Sequence, residues 1–304
     1  MCFKIMFGHA AYYGVLGQMN RGALWEGKYP TCAVVYNNVI YIAMLFAALL
    51  LFLNNGYHFS DDIKREHSVK QNPFGQTIGA ELPYWHLARP PQREIIPGHF
   101  CSLEPVSADK HEASLYQAYH AVSDGQDWTY FYCERPENKD DFHHYLQTLI
   151  HANDAVHYTA VDPQLGHALG TVGLQRIDEK NGVIEIGSVN WSPRLKRNTA
   201  GTEAIYLLLH YAFDKLGYRR CEWKCDSLNE SSNAAAARFG FQYEGQFRQA
   251  IVTKGRNRDT NWYAIIDKDW PLIKQAFKDW LMAENFDSQG KQKVRLQDLR
   301  GRHS

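Results

Sequence analysis

The chain has no surplus of either charge sign. Its 304 residues contain 33 Lys and Arg and 33 Asp and Glu, so the formal net charge at pH 7 is zero. A balanced chain has no general electrostatic attraction to nucleic acid or to anionic membranes. A local excess occurs in the basic tail, residues 286–304, with five Lys and Arg against one Asp between Lys291 and Arg302. We expect that tail to be solvated, without a specific nucleic-acid partner.

Cysteine is scarce and no CxxC pair occurs. Six cysteines in 304 residues are too few for a disulfide framework, which favours a reducing compartment and a cytoplasmic location. If Cys221 and Cys225 lie on one strand, they are about 13 Å apart, too far for a disulfide or a shared metal. The histidines His143, His144 and His151 lie mostly off the apolar stripe of a predicted helix, without carboxylate or cysteine partners at ligand spacing. We therefore expect no metal site.

Four catalytic signatures are also missing from the sequence. It contains no GxSxG elbow, no GxxxxGK[ST] loop, no HExxH and no GxGxxG after a predicted strand. These patterns are typical of serine hydrolases, nucleoside triphosphatases, zinc proteases and dinucleotide-binding enzymes. None of these four classes is expected.

One long apolar run is present. Residues 33–53, AVVYNNVIYIAMLFAALLLFL, carry no charge and are about as long as a bilayer core requires. The run begins too far from Met1, and lacks a small-x-small cleavage site after Leu53, for a secretory signal peptide. Two interpretations of the N-terminal extension, residues 1–68, stay open: it contains a membrane anchor, or it is a spurious leader. Membrane contact is expected only in the first case.

The rest of the chain divides by composition into an arm or linker, residues 69–97, rich in Pro and Gly, and a regular domain, residues 98–285. Hydrophobic periods of 2 and 3.6 in this domain predict alternating strands and helices. Strands are predicted near 99–105, 156–161, 168–177, 183–191, 218–225, 242–253 and 261–266, and helices from Ser107, from about Asp140, from the turn at 196–202 to Leu216, and over 229–239. This order predicts a mixed sheet with helices on its faces, an α+β fold.

A basic turn of small residues opens the third of these helices. It consists of Lys196, Arg197, Asn198, Thr199, Ala200, Gly201 and Thr202. Backbone amides at a helix N-terminus are unpaired and carry the positive end of the macrodipole, so small residues there let a phosphate approach closely. Two basic side chains would add charge. The alternative is an ordinary solvated loop with a helix cap.

A second motif connects this turn with a known family. Asn229-Glu-Ser-Ser232 is followed eight residues later by Gly240-Phe241. Over about residues 98–281 the chain resembles the GNAT superfamily of acyl-CoA-dependent N-acetyltransferases, and this motif is similar to that of the ribosomal-protein serine/alanine N-acetyltransferase branch. In the family turn, Q/R-x-x-G-x-G/A, Gly201 matches, whereas Lys196 and Thr199 depart. The resemblance implies a mostly antiparallel sheet of about seven strands with helices on both faces.

The resemblance also implies roles for individual residues, with acetyl-CoA as the acetyl donor and no metal. Residues 196–202 would bind its pyrophosphate, and backbone amides of Val189, Asn190 and Trp191 would face the thioester carbonyl. Asn229 would bond the pantetheine arm, and Ser232 would protonate the departing thiolate. A plain helix N-cap is the alternative interpretation of Asn229, and a backbone-capping residue that of Ser232.

The base and the acceptor site are less determined. Glu185 is the first candidate for the base, with Glu222 and Asp226 next, and each fits a salt-bridged strand residue equally well. The acceptor site is expected to be bordered by the hairpin that carries three polar residues: Arg256, Arg258 and Asp259. A polar hairpin turn is the alternative interpretation of those three.

We expect the acceptor to be a protein N-terminal amine, such as that of a ribosomal protein. Deprotonating an α-amino group at pH 7 costs about 1 to 1.4 kcal/mol, against about 4.6 kcal/mol for a lysine, so it needs no dedicated base. Two alternatives stay open: a polyamine or aminoglycoside acetyltransferase, and a non-catalytic acyl-CoA-binding module. A homodimer is a further expectation.

Overall fold

A computed structural model of the chain describes residues 70–121 and 125–303. The apolar run at 33–53 lies outside the described residues. The chain divides into two compact units, Met1–Pro83 and Tyr84–Ser304. Within the described ranges, no helix combines the length and the apolar character that crossing a membrane requires.

The described part of the first unit is a short antiparallel ladder of strands β1 (Lys70–Gln71) and β2 (Thr77–Ile78). The second unit contains the remaining elements. Its strands are β3 (Ser102–Pro105), β4 (Ala155–Val161), β5 (Ala168–Asp178), β6 (Val183–Trp191), β7 (Arg220–Asp226), β8 (Gln242–Thr253) and β9 (Arg256–Ile266). Its α-helices are α1 (Ala108–Tyr119), α2 (Lys139–Ile150), α3 (Thr199–His210), α4 (Glu230–Phe239), α5 (Trp270–Leu281) and α6 (Leu296–His303).

The seven strands of the second unit form one sheet in the order β3-β4-β5-β6-β7-β9-β8. Neighbours pair antiparallel throughout, except that β6 and β7 run parallel. The helix between those two strands, α3, supplies the crossover that a parallel pair needs. The predicted α+β fold with a mostly antiparallel seven-stranded sheet is confirmed.

Helices cover both faces of this sheet. Helices α1 and α2 pack on one face around a cluster that contains Leu115, Phe142 and Leu146. Helices α3 to α6 pack on the other face, in a larger cluster that includes Val172 of β5. Its neighbour Thr171 points the other way and hydrogen-bonds Tyr119 of α1 at 3.1 Å, as the alternation of strand side chains requires.

Helix α3 connects the sheet to the segment before β3. It continues as a π-helical turn, Tyr211–Leu216, and ends at Gly217, whose φ of 81° is left-handed. Glu203 in its second turn is buried, and its carboxylate accepts three backbone N–H groups at 2.6 to 2.9 Å, from His99, Phe100 and Cys101. These bonds satisfy a buried charge and fix where β3 begins.

The β8–β9 hairpin differs from its prediction. Strand β9 begins at Arg256, five residues before the predicted start at Asn261. The turn is the pair Lys254-Gly255, with φ of 50° and 70°, the geometry of a tight two-residue hairpin. The predicted break in pairing between the strands at 242–253 and 261–266 is therefore too long, because a glycine that accepts positive φ makes a two-residue turn and the polar residues from Arg256 onward pair in the ladder.

The C-terminal segment is partly folded into the core, contrary to the expectation of a solvated tail. Leu296 and Leu299 of α6 are 0% and 6% exposed. Arg300 donates a hydrogen bond of 2.9 Å to the carbonyl of Ala237 at the end of α4. The basic residues of this segment thus flank two buried leucines, and the packing of these leucines holds the segment against the domain.

Replacing Leu296 by Ala tests this packing. We expect the free energy of unfolding to fall by about 2 to 5 kcal/mol, because a fully buried leucine leaves a cavity. Leu228→Ala is the matched control, since Leu228 is 72% exposed, and should change stability by less than about 0.5 kcal/mol. Denaturant unfolding of both variants measures the difference, and equal stabilities would mean that α6 does not pack as described.

Candidate functional site

Strands β6 and β7 pair over only part of their length. Residues Val183–Glu185 pair with Arg220–Glu222, and beyond that point β6 pairs only with β5 and β7 only with β9. The two strands therefore diverge and leave a gap between their C-terminal halves. Backbone amides and carbonyls on the edges of such a gap are available to an extended ligand.

A β-bulge lies on the β6 side of this gap. Ser188 and Val189 both oppose Val172 of β5, and Ser188 has a left-handed φ of 52°. A bulge bends its strand and changes the direction of the groups that follow. The structure thus places Val189, Asn190 and Trp191 at the gap, while the predicted contact of their amides with a thioester stays a prediction.

The basic turn leads directly into α3. Its first-turn amides, at Thr199 and Gly201, have no intrahelical partner, which is the usual basis of an anion site at a helix N-terminus. Asn198 is the N-cap, and its side chain accepts the Ala200 N–H at 3.1 Å. A Cβ on Gly201 would lie 2.8 Å from the carbonyl oxygen of Leu195, so the turn requires glycine there.

Two basic side chains belong to this turn and a third lies against it. Lys196 forms an ion pair with Asp127, and Arg197 is exposed. Arg238 was missed by the sequence reasoning: it reaches from α4 and donates a hydrogen bond of 3.1 Å to the hydroxyl of Thr202. No pattern near the turn indicates it, because the contact joins two helices. Phosphate binding by Lys196 and Arg197 stays a prediction.

The N-terminus of α4 lies beside β7. Asn229 is the N-cap of α4, and its side chain accepts the Ser232 N–H at 3.1 Å. The hydroxyl oxygen of Ser232 accepts the indole N–H of Trp223 at 3.0 Å. Burial raises the pKa of the neighbouring Cys225 thiol, although its hydrogen bond with Ser232 opposes that shift. The cap interpretation of Asn229 is thus realised, and the predicted roles toward a donor stay predictions.

Asn233, one residue after Ser232, joins α4 to the sheet. Its side-chain oxygen accepts three hydrogen bonds, from Cys225 at 3.2 Å, Asn261 at 2.9 Å and Tyr263 at 2.7 Å. Its amide nitrogen donates to the carbonyls of Ser227 and Asn229. The sequence motif did not indicate this residue, whose partners come from β7 and β9.

The candidate base Glu185 belongs to a buried ion network. Its carboxylate lies 2.9 Å from the Lys224 ammonium, which also lies 2.7 Å from Glu222 and 3.7 Å from the centroid of the Trp262 ring. The contact between Glu185 and Lys224 has ion-pair distance without hydrogen-bond alignment. Gln175 donates a hydrogen bond of 2.8 Å to the other Glu185 oxygen. Both oxygens are thus engaged, and a role for Glu185 as the base stays a prediction.

The three hairpin residues lie in different environments. Arg256 is exposed, whereas Arg258 is buried. Asp259 accepts the backbone N–H of Gln249 at 2.7 Å and the side-chain N–H of Asn257 at 3.0 Å. The hydrogen bond from Gln249 is the main cause of a lowered pKa at Asp259. Asp259 therefore holds an irregular stretch of β8, and acceptor binding by all three residues stays a prediction.

A cleft of about 900 Å³ lies between the β8–β9 turn and the loop that precedes α2. Arg256 lines it together with Trp128 and Glu134. Lys254 closes one side, where it donates a hydrogen bond of 2.7 Å to the Trp128 carbonyl and lies 3.0 Å from Glu134. In the part of the chain that the structure describes, no group of three His, Cys, Asp or Glu residues could hold a metal ion.

Comparison with known proteins agrees with this geometry. A family model described as an acetyltransferase (GNAT) domain matches residues 102–242. The crystal structure of a GCN5-related N-acetyltransferase from Brucella melitensis is 44% identical, with a TM-score of 0.70, and the match covers 72% of this chain and 100% of that one. The chain belongs to the GNAT family. Because GNAT proteins are N-acetyltransferases, this GNAT protein is an acyltransferase enzyme.

Two curated relatives from Bacillus subtilis (strain 168) are more distant. "Uncharacterized N-acetyltransferase YoaA" is 35% identical over 98 residues, which are 32% of this chain and 55% of YoaA. "Putative ribosomal N-acetyltransferase YdaF" is 26% identical over 174 residues, which are 55% of this chain and 90% of YdaF. This GNAT protein thus spans about half the length of the first relative and nearly all of the second.

Asn233→Ala tests how the α4 end of the site is held. The change removes the acceptor shared by three donors, and each buried unsatisfied group costs about 1 to 3 kcal/mol. We expect stability to fall by at least about 2 kcal/mol in denaturant unfolding. Ser231→Ala is the control: it removes one exposed hydrogen bond, from the Ser231 hydroxyl to the Asn229 side chain at 2.8 Å, and should cost no more than about 1 kcal/mol. A neutral Asn233→Ala would contradict the described network.

Proposed function

We propose that this chain transfers an acetyl group from acetyl-CoA to a protein N-terminal amine by direct attack of the amine on the thioester. The observation that carries the proposal is the gap between β6 and β7, with the β6 bulge on one side and Ser232 on the other. In the reaction a C–N bond forms and the C–S bond breaks. The amine loses one proton, and the departing thiolate gains one.

The residues around the gap fit an acyl-CoA. Unpaired first-turn amides of α3 suit a pyrophosphate, with Arg238 near them and the turn at 196–202 around them. The diverging strand edges suit the amides of the pantetheine arm, with Asn229 at one end. Val189, Asn190 and Trp191 would supply backbone amides that stabilise the oxyanion of the tetrahedral intermediate.

Ser232 is the residue that we propose as the proton donor to the thiolate. Because Trp223 donates to its oxygen, the hydroxyl is polarised and becomes a better donor itself. A thiol has a pKa near 8.5, so a weak acid or a strong hydrogen bond is sufficient to stabilise the departing thiolate.

The proposal of an N-terminal amine as the acceptor depends on how the carboxylates near the gap are paired. Polyamines and aminoglycosides carry several positive charges and favour sites with several free carboxylates. Here Glu185 and Glu222 share Lys224, and Glu222 also pairs with Arg220 at 2.8 Å. An α-amino group needs little help to lose its proton at pH 7, so it suits a site in which Glu185 and Glu222 are already paired and Asp226 is the one of the three carboxylates without a basic side chain within 4.0 Å among the described residues. The similarity to YdaF, whose name is "Putative ribosomal N-acetyltransferase", also favours a protein acceptor.

The proposal is tested by incubating the full chain with acetyl-CoA and a panel of acceptors while following thiol release. Peptides that begin with Ser or Ala, polyamines and aminoglycosides form the panel. We expect acetylation of peptides and little of the other amines. Measurable CoA binding without transfer to any acceptor would instead support a non-catalytic acyl-CoA-binding module.

Ser232→Ala should lower kcat by about 100-fold or more, as expected for loss of a general acid. The affinity for CoA, measured by calorimetry, should change little, because the proposed contact strengthens as the thiolate departs. Ala234→Ser, at an exposed position of the same helix, is the control and should keep both values. An unchanged kcat in Ser232→Ala would remove the proton-donor role.

A cytoplasmic location and a homodimer are also part of the proposal. Support for the location comes from Cys101, Cys221 and Cys225, which are buried and free of disulfides. Fractionation of cells that express the full chain, together with size-exclusion chromatography, tests both.

A further inference from the structure

Arg258 of β9 is a buried arginine without a carboxylate partner. It is 6% exposed, and among the described residues it is more buried than any other lysine or arginine. Its Nε atom has no hydrogen-bond partner, and no described carboxylate lies within 4.0 Å of its guanidinium. A buried charge without a partner is costly, and proteins normally pair it. The environment of Arg258 is therefore one that an anionic group would complete.

The guanidinium lies against an aromatic ring. Its central carbon is 4.8 Å from the centroid of Tyr132, in the loop before α2. Tyr130 of the same loop donates a hydrogen bond of 3.0 Å to the Leu228 carbonyl, which holds the loop across the end of β7. A guanidinium that stacks on a ring keeps its N–H groups, which lie in its plane, available for an oxygen ligand.

A second unsatisfied group lies on the same face of β9. Thr260 is two residues after Arg258, so both side chains point to one side of the sheet. The Thr260 hydroxyl is buried and has no hydrogen-bond partner in the structure. A guanidinium and a hydroxyl without partners form a pair of donors suited to one carboxylate.

This face is the side from which an acceptor would approach the gap. Trp223 of β7 bonds Ser232 on the α4 side, so Asp226, three residues later, points to the opposite side. Asp226 is directly opposite Thr260 in the β7–β9 ladder, so the two side chains lie on the same face of the sheet. Asp226 is 8% exposed, and no basic side chain of the described residues lies within 4.0 Å of it. In the proposed function the thiolate leaves toward Ser232 on the α4 side, which leaves the opposite side, that of Asp226 and Arg258, open to the acceptor amine.

We propose that Arg258 and Thr260 bind a carboxylate of the acceptor, so that the preferred substrate is a protein N-terminus with Asp or Glu within its first few residues. This inference rests on the proposed N-terminal acetyltransferase function. Asp226 lies between the gap and Arg258 and suits the amine of the same acceptor. A polyamine carries no carboxylate and would be repelled by Arg258.

The test uses the full chain, acetyl-CoA and two peptides with C-terminal amides. The peptides begin with Ser and differ only in Glu or Gln at the second position. We expect kcat/KM to be about tenfold or more higher for the Glu peptide, because a charge-assisted hydrogen bond to a buried guanidinium is lost with Gln. The difference should appear mainly in KM.

Arg258→Gln should remove this preference by raising KM for the Glu peptide, and Arg258→Lys should restore part of it. Arg248→Gln is the matched control, since Arg248 is exposed on β8, and it should keep the preference. Thermal unfolding of each variant shows whether the fold is intact. If Arg258→Gln does not fold, the comparison of the two peptides with the unchanged chain still decides the question.

Equal kcat/KM values for the Glu and Gln peptides in the unchanged chain would overturn the inference and leave the proposed function in place. If neither peptide is acetylated, the proposed function fails instead. In that case calorimetry of both peptides against the full chain with CoA measures the same preference, and equal affinities overturn the inference.

Discussion

The parallel pairing of β6 with β7 covers three residues on each strand and then stops at Glu185 and Glu222. These two carboxylates are directly opposite each other, an arrangement that destabilises a sheet unless a cation lies between them. Lys224 is that cation, and the ring of Trp262 covers it. The last paired position is thus held by an ion network, and the gap opens immediately beyond it.

Two helices begin at the open end for the same reason. Strand β6 leads to α3 and strand β7 leads to α4, so the parallel pair directs both helix N-termini to the end where the strands diverge. An asparagine caps each helix, Asn198 on α3 and Asn229 on α4. One topological feature therefore brings unpaired amides, the β6 bulge and Ser232 to the same edge of the sheet.

Local patterns predicted the parts of this arrangement that are local in the chain. The turn at 196–202 and the motif from Asn229 to Phe241 each depend on residues a few positions apart, and both helices start where those motifs indicate. Contacts across elements were not predictable in the same way. Arg238 reaches Thr202 from another helix, and Lys224 meets Glu185 across two strands. Helix α5 was not predicted, and in α6 the many basic residues obscured two buried leucines.

The buried charged groups of the domain differ in whether the chain itself supplies an oppositely charged group or N–H donors for them. Glu203 receives three backbone N–H groups, and Glu185 and Glu222 share Lys224. Each of these carboxylates has N–H donors or a cation within the chain, although Glu185 and Lys224 meet at ion-pair distance without an aligned hydrogen bond. The Arg258 guanidinium lies against an aromatic ring and shares its face of the sheet with Asp226 and Thr260, but no described carboxylate lies within 4.0 Å of it. Stability alone would favour an apolar residue at such a position. An arginine there is explained by a group that arrives from outside the chain, and its place beside Asp226 identifies the acceptor as the source of that group.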